Sequence, residues 1–135
     1  HVDSSAASDV YKRQISNTLN RSLELTMRRG TGRFSSFAKS GVAGKTGTTN
    51  DNRDSWFAGF DDNKLAVFWV GRDDNKSTGL SGASGALKLW DASLRRIGNS
   101  PLSIPTDETF VVLNIVPGKW LDLLVLILLR SLLQT

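Results

Sequence analysis

A lysine set among small hydroxyl-bearing residues is the feature of this sequence most able to do chemistry. Residues 43–50 read Ala-Gly-Lys-Thr-Gly-Thr-Thr-Asn, with Lys45 as the single charge. The Gly-Lys-Thr tripeptide matches the end of the phosphate-binding loop G-x-x-x-x-G-K-[ST], whose backbone N–H groups surround a phosphate. That motif needs a glycine where Lys39 stands and a helix directly after Thr46. Gly47 and the polar residues after it are poor helix formers, which disfavours this interpretation.

The same residues can instead form an extended strand beside a cleft. Lys45 would supply a fixed positive charge that attracts a carboxylate, and the β-branched Thr46 would hold the strand extended. Gly47 would let a peptide lie against the backbone and add as a strand. Thr48 shares a face with Thr46 and would present its hydroxyl to the carboxylate. A Lys-Thr-Gly strand of this kind accompanies S-x-x-K in serine acyl-transferases, although an ordinary solvated strand could also contain the tripeptide.

The composition restricts the chemistry to a few side-chain types. The chain has no cysteine and one histidine, His1, which excludes a disulfide scaffold, a thiolate or zinc site and a His-based triad. Catalysis would have to use Ser, Thr, Lys, Asp or Glu, and no metal or cofactor is expected. The net charge is +4, but the basic residues are scattered, so nucleic acid is not an expected partner.

Apolar periodicity predicts a helix, three strands and a second helix. A stripe with a spacing of four residues predicts a first helix that ends at Gly30. The stripe consists of Ile15, Leu19, Leu23 and Met27. The predicted strands are 42–49, 55–60 and 64–71, and the second helix is 86–97. The fold class is therefore α+β, with an antiparallel sheet flanked by an N-terminal and a C-terminal helix.

Several local expectations accompany this scheme. The third strand is apolar on both faces, so it should be central in the sheet and covered on both sides. Asp61 and Asp62 are expected to be solvated residues of a hairpin turn. Asp91 and Arg95 are four residues apart and should form a pair on the second helix. The aromatic residues of the second and third strands are expected in the sheet core: Trp56, Phe57, Phe68 and Trp69.

The two ends of the chain fit this scheme less well. Residues 1–14 have no periodicity and resemble translated vector or adapter sequence, so they are interpreted as a non-native or disordered leader. Residues 15–100 form the predicted part of a domain, and 101–135 are interpreted as a tail for which a native and a non-native origin both stay open. The apolar run at 121–133 is shorter than the about 20 residues that span a bilayer. Residues 1–14 and 107–135 are expected to be poorly ordered or only weakly packed.

Five segments, in order and at suitable spacing, resemble the class A bifunctional penicillin-binding proteins. The segments are RGTGR at 29–33, AGKTGTTN at 43–50, DSWFAG at 54–59, VFWVGRDDN at 67–75 and GASGA at 82–86. The resemblance covers residues 15–97. Its agreement over five separate segments makes it far more specific than Lys-Thr-Gly alone.

The resemblance implies a fragment of a peptidoglycan D,D-transpeptidase with part of a β-lactamase/transpeptidase-like fold. The family is anchored in the inner membrane, works at its periplasmic face and carries a glycosyltransferase domain upstream. Its serine attacks a D-Ala-D-Ala stem peptide and forms an acyl-enzyme that a neighbouring stem's amine resolves, and β-lactams acylate the same serine.

By motif position, the resemblance also implies roles for individual residues. Lys45 would be catalytic, while Thr46, Gly47, Thr48 and Thr49 would bind the substrate. Thr46 and Thr48 would hydrogen-bond its carboxylate. A backbone N–H near Thr48 or Thr49 would serve the oxyanion hole together with that of the serine.

The nucleophilic serine is not expected in this chain. The local S-x-x-K match is Ser36-Phe-Ala-Lys39, which lies in a Ser/Gly-rich loop with no helical stripe after it, and S-x-N is absent. The chain would then supply one side of a three-sided site and be inactive alone. Two alternatives stay open: a serine β-lactamase or D,D-carboxypeptidase fragment, and a non-catalytic sheet module that binds a peptide by strand addition.

Overall fold

A computed structural model describes residues 4–104 and shows two helices and one three-stranded sheet. The elements are α1 (Ser4–Arg29), β1 (Ala43–Thr48), β2 (Ser55–Phe60), β3 (Leu65–Val70) and α2 (Ala86–Ile97), with 3₁₀ turns at Thr31–Phe34 and Asn50–Asn52. Both strand pairs are antiparallel. The predicted α+β fold class is confirmed, and each strand lies within one residue of its predicted bounds. Within the described range, no helix combines the length and apolar character needed to cross a bilayer.

Helix α1 begins at Ser4 rather than at Ile15, so most of the predicted leader is helical. Neither glycine nor proline interrupts the sequence from Ser4 to Arg29, and the helix can therefore continue through it. Of the predicted stripe, only Met27 is fully buried, whereas Ile15 and Leu19 are exposed. Only the last turns of α1 thus contribute to the core. That residues 1–14 are non-native stays a prediction, and most of the predicted tail lies outside the described residues.

The core lies between the inner face of the sheet and the two helices. It consists of Met27, Val42, Phe57, Ala86, Leu87, Trp90 and Leu94. The rings of Phe57 and Trp90 pack with their centroids 5.0 Å apart. Leu87, Trp90 and Leu94 recur at the helical period, which explains why one face of α2 covers the sheet.

The opposite, outer face of the sheet is not covered by any described element. We define the outer face by its exposed side chains: Lys45, Trp56, Ala58, Leu65, Val67 and Trp69. Leu65 is 72% exposed and Trp69 is 50% exposed. The strand order is β1-β2-β3, because short turns place consecutive strands side by side. Within residues 4–104, β3 is therefore an edge strand with one face exposed, unlike the predicted central strand covered on both sides, and of the four aromatic residues only Phe57 and Phe68 lie on the inner face.

Asp61 is buried, contrary to the expectation of a solvated turn residue. It begins the β2–β3 turn and is 5% exposed. Its Oδ1 accepts hydrogen bonds from the backbone N–H groups of Asn63 and Lys64, and its Oδ2 accepts one from Ser100 N–H at 2.9 Å. The Lys64 ammonium lies 3.0 Å from Oδ2. Sequence spacing could not reveal this burial, because Ser100 comes from the segment after α2.

These contacts make Asp61 a pH-dependent source of stability. Burial alone would raise the pKa of Asp61, but the hydrogen bonds from Ser100, Lys64 and Asn63 outweigh it and lower the pKa from 3.8 to about 2. A carboxyl whose pKa is lower in the folded state stabilises the fold above its unfolded pKa. That stability is lost as the pH falls from about 4 to about 2.

We therefore expect Asp61→Asn to lower the free energy of unfolding by about 2 kcal/mol at pH 7. Urea unfolding of the wild type and the variant at several pH values measures this difference. It should shrink as the pH approaches 2, where the wild-type carboxyl is also protonated. Asp62→Asn is the matched control, since Asp62 is exposed. A difference that persists unchanged at low pH would show that the charge of Asp61 is not the cause.

Asp91 also differs from its expected pairing. Its carboxylate is buried on α2 and accepts hydrogen bonds from the hydroxyls of Ser35 and Ser36 and from Ser36 N–H. Arg95 instead donates to Ser36 Oγ at 2.5 Å. No Asp91–Arg95 ion pair is present among residues 4–104, so the prediction of a direct pair is wrong. Ser35 and Ser36 lie between the Asp91 carboxylate and Arg95, because their two hydroxyls and Ser36 N–H donate hydrogen bonds to that carboxylate.

Candidate functional site

The Lys-Thr-Gly segment forms strand β1 at one edge of the sheet. Lys45 pairs with Ala58 and Thr48 pairs with Ser55 on the central strand β2. The other side of β1 has no strand partner among residues 4–104. Lys45 is in the middle of a strand and does not precede a helix, which excludes the phosphate-binding loop for the described chain. The segment thus has the edge position that strand addition requires.

The hydrogen-bond register decides which backbone groups of β1 face the free edge. Just beyond the strand, Thr49 N–H donates to Asp54 O at 3.2 Å. Because paired residues alternate along an antiparallel ladder, Gly47 and Lys45 also bond to β2, while Thr48 and Thr46 do not. The N–H and C=O groups of Thr46 and Thr48 therefore point away from the sheet. Thr48 N–H is available to a ligand, and Thr49 N–H is not.

The Lys45 side chain lies along this free edge. Its Nζ donates a hydrogen bond to Thr46 O at 2.8 Å, and the residue is exposed. The positive charge is thus held next to one of the outward-facing carbonyl groups. A ligand that pairs with the edge would meet this ammonium directly.

The two threonine hydroxyls on β1 each have a partner from another element. Thr46 Oγ1 lies 2.6 Å from Thr31 Oγ1, where either hydroxyl could be the donor. Thr48 Oγ1 accepts a hydrogen bond from Gly82 N–H at 2.9 Å. A Cβ atom on Gly82 would lie only 2.7 Å from Gly47 O and 2.8 Å from Thr46 Cβ. Glycine is therefore required at position 82 for its loop to reach the strand.

Thr49 is bound into the turn between β1 and β2 rather than presented to the cleft. Its hydroxyl donates to Asp54 Oδ2 at 3.0 Å and accepts from Asp54 N–H at 2.8 Å. The other oxygen of Asp54, Oδ1, accepts from Trp69 Nε1 at 2.9 Å. Asp54 thus ties the end of β1 to β3 across the central strand. These contacts leave Thr49 the least available of the five candidate residues.

Three residues that contact the candidate site were not singled out from the sequence. They are Thr31, Asp54 and Gly82. Each belongs to one of the segments that resemble the family: RGTGR, DSWFAG and GASGA. Membership in these segments was the sequence signal for the three residues. In the structure, all three segments contact AGKTGTTN.

The local S-x-x-K match does not form an activated serine in the described residues. Ser36 lies in a turn, where its hydroxyl is bonded to Asp91 and Arg95 on α2. Lys39 makes no hydrogen bond to Ser36 within this part of the chain, and it is exposed. Within the described residues, Ser36 therefore lacks the lysine partner that activates the serine of an S-x-x-K motif.

Two concave surfaces of the described residues lie away from β1. An open depression of about 310 Å³ is lined by residues 60–65 at the β2–β3 turn. A smaller space of about 20 Å³ lies beneath Phe68 and Trp90. Neither is lined by Lys45 or by the threonines of β1. Among the described residues, Lys45 and the threonines of β1 thus lie on an open strand edge rather than in either of these depressions.

Comparisons with known proteins agree on one family. Over 81 residues the chain is 49% identical to penicillin-binding protein 1B of Vibrio cholerae, an alignment that covers 58% of this chain and 10% of that protein. It is 43% identical over 102 residues to penicillin-binding protein 1B of Haemophilus influenzae, covering 73% of this chain and 13% of that protein. It is 42% identical over 88 residues to penicillin-binding protein 1B of Escherichia coli, covering 64% and 10%. No protein-family model matches the chain.

A solved structure gives the same result. The crystal structure of penicillin-binding protein 1A from Haemophilus influenzae is similar to this chain with a TM-score of 0.50 and 30% sequence identity. The similarity covers 70% of this chain and 15% of that one. This chain spans only about a tenth of the length of the curated relatives it matches. The resemblance predicted from the sequence is confirmed: the chain matches a fragment of a class A penicillin-binding protein.

Proposed function

We propose that this chain supplies the substrate-binding edge of a peptidoglycan D,D-transpeptidase whose nucleophilic serine lies elsewhere in the full-length protein. The observation that carries the proposal is the outward direction of the Thr46 and Thr48 backbone groups beside the Lys45 ammonium. An extended D-Ala-D-Ala stem peptide would pair with these groups as an added strand. The names of the relatives support penicillin as a ligand of the full-length protein, and we place it at the same edge.

The free edge offers hydrogen-bond donors for the terminal carboxylate of the peptide and for the carbonyl oxygen that becomes negative during attack. Thr48 Oγ1 already accepts a hydrogen bond from Gly82 N–H, so its own proton is free to donate to the terminal carboxylate of the peptide. Thr46 would add a second hydroxyl donor, and Lys45 would supply the compensating charge. Thr48 N–H would donate to the carbonyl oxygen that becomes negative during attack. Gly47, which has no side chain, would leave room for the peptide.

The proposed reaction passes through an acyl-enzyme. The serine oxygen forms an ester with the carbonyl carbon of the penultimate D-Ala, the peptide C–N bond breaks, and D-Ala leaves after its nitrogen gains a proton. An amine of a neighbouring stem peptide then attacks the ester and restores the serine hydroxyl. A β-lactam would form the same ester when its ring C–N bond opens. Lys45 acts at the cleft by holding the hydroxyl network and the carboxylate in place.

The proposed full-length protein has further parts that follow from the family. It would be anchored in the inner membrane with this domain at the periplasmic face, and a peptidoglycan glycosyltransferase domain would precede it. The missing N-terminal half of the transpeptidase domain would carry S-x-x-K and S-x-N. These proposals rest on similarity to proteins of which the chain spans about a tenth.

Labelling with a fluorescent penicillin tests the proposal. The full-length protein encoded by the gene should become covalently labelled, and this chain alone should not. Ser36→Ala in the full-length protein is the matched control and should keep its label. Failure of the full-length protein to label would overturn the proposed function, and labelling of Ser36 in this chain would overturn the location of the nucleophile. Labelled protein that hydrolyses stem peptides without transferring them would indicate a carboxypeptidase instead.

A further inference from the structure

The hydroxyl groups of Thr31 and Thr46 form a close pair between two elements. Their Oγ1 atoms lie 2.6 Å apart, although the residues are fifteen positions apart in the sequence. Thr31 begins the 3₁₀ turn Thr31–Phe34, directly after α1, and Thr46 lies in β1. Thr31 is exposed and Thr46 is half-buried, so the pair lies at the surface beside the free edge.

The start of the 3₁₀ turn is fixed against α1. Gly30 N–H donates to Thr26 O at 3.0 Å, which continues the helical hydrogen bonding to Gly30, the residue before Thr31. Gly32 is buried against Met27, and a Cβ atom there would lie 2.8 Å from Met27 Cα. Only glycine allows so close an approach to a backbone atom. Thr31 is thus held between two residues whose positions are set by α1.

The end of the 3₁₀ turn is fixed against α2. Ser35 N–H donates to Gly32 O at 2.9 Å, and Ser35 Oγ donates to the buried carboxylate of Asp91 at 2.5 Å. Asp91 also accepts from Ser36 N–H at 2.8 Å. Both ends of the turn are therefore anchored, and Thr31 has little freedom to move away from Thr46.

From this geometry we infer that Thr31 is a positioning residue that directs the hydroxyl proton of Thr46 toward a ligand carboxylate; the inference rests on the proposed function. A carboxylate can only accept hydrogen bonds, so Thr46 has to donate to it. Thr46 can do so only if Thr31 is the donor within the pair. The resulting chain runs from Thr31 to Thr46 to the carboxylate, and each bond in such a chain strengthens the next.

Thr48 supports this assignment by comparison. Gly82 N–H can only donate, so it leaves the Thr48 proton free to donate to a ligand. Thr31 does for Thr46 what the Gly82 amide does for Thr48, with a hydroxyl that can be either donor or acceptor. The effect of Thr31 should therefore be confined to ligands that carry a terminal carboxylate. A residue that only supported the fold would affect all ligands alike.

The test compares the acylation of the full-length protein by a penicillin and by its methyl ester, which lacks the carboxylate charge. Mass spectrometry of the acyl-enzyme gives the two rates. Thr31→Val should lower the rate with penicillin by about three- to tenfold, the loss expected for one hydrogen bond that supports a charged group. The rate with the ester should stay within about twofold, since that ligand offers no charged acceptor. Thr31→Ser keeps the hydroxyl and should restore the wild-type ratio.

The control variants separate this inference from the proposed function. Thr18→Val removes a comparable exposed hydroxyl on α1, bonded to Gln14 O, and should change neither rate. Thr46→Val should also reduce the preference for the free acid, and an unchanged preference would refute the proposed role of Thr46. If Thr46→Val loses the preference while Thr31→Val and Thr31→Ala keep it, only the inference about Thr31 is overturned. Equal losses with acid and ester in the Thr31 variants would likewise overturn it.

Discussion

Replacing Lys45 by methionine in the full-length protein is expected to slow acylation by penicillin about a hundred- to a thousandfold, the size of effect seen when one preorganised polar group is removed from a reacting centre. Methionine keeps the length of the side chain but removes the charge. The ammonium lies on the free edge, bonded to Thr46 O, where an incoming ligand would meet it. Stopped-flow or gel measurements of covalent labelling at several penicillin concentrations give the acylation rate.

Lys39→Met is the matched control for the Lys45 variant. Lys39 belongs to the local S-x-x-K match, is exposed and makes no hydrogen bond to Ser36 in the described part of the chain. Its replacement should leave the acylation rate unchanged. Equal effects of the two substitutions would contradict the assignment of Lys45. Fast acylation of the Lys45→Met protein would show that the Lys45 charge is not required for the reaction.

Trp90→Ala is expected to cost about 3–5 kcal/mol of unfolding free energy, the range for removing a large buried aromatic side chain. Trp90 is 2% exposed and packs against Phe57 and Phe37, with ring centroids 5.0 and 6.2 Å away. It joins α2 to the inner face of the sheet. Because a small domain has only about 5–15 kcal/mol of stability, the variant should lose much of it.

Urea unfolding followed by far-ultraviolet circular dichroism measures the effect of Trp90→Ala without relying on tryptophan fluorescence. Trp56→Ala is the matched control, because it removes the same side chain from the outer face. Trp56 is 42% exposed and contacts Trp69 at a centroid distance of 6.1 Å. Its loss should cost about 1 kcal/mol or less. Similar costs at the two positions would contradict the placement of the core on the inner face.

The order and type of the elements could be predicted because each depends on local patterns. The aromatic and apolar runs of β2 and β3 and the Asp-Asp-Asn turn between them predict the hairpin, and the apolar spacing of α2 predicts its buried face. The burial of Asp61 could not be predicted, because its partner Ser100 arrives from beyond α2. The same limit applies to Asp91, whose serine partners are more than fifty residues earlier in the chain.

The position of β3 shows a different limit. Leu65, Val67 and Trp69 alternate with inner-face residues and are as apolar as those residues, which is the pattern of a strand covered on both sides. No element in the range 4–104 covers them. The pattern therefore indicates surroundings larger than the described chain. Sequence periodicity reports the environment of a strand without saying which part of a protein supplies it.

The candidate site was predictable in position but not in its contacts. The strand character of residues 43–49 and the shared face of Thr46 and Thr48 follow from the period of two. The hydroxyl partners Thr31 and Gly82 do not, because they come from a turn and a loop that fold back onto β1. The sequence alone did not distinguish the backbone N–H groups of Thr48 and Thr49. The strand register was needed to tell which of the two faces the free edge.

The Lys45–Thr46 contact has a consequence for the chain when no ligand is bound. An unpaired strand edge is a template on which another copy of a chain can aggregate, and a lysine at the edge is one means of preventing this. The Lys45 ammonium donates a hydrogen bond to Thr46 O and places a positive charge where strand β1 of a second chain would have to pair. Self-association through this edge would bring two like charges together. The side chain that we propose as a carboxylate partner would thereby also discourage the pairing of identical chains.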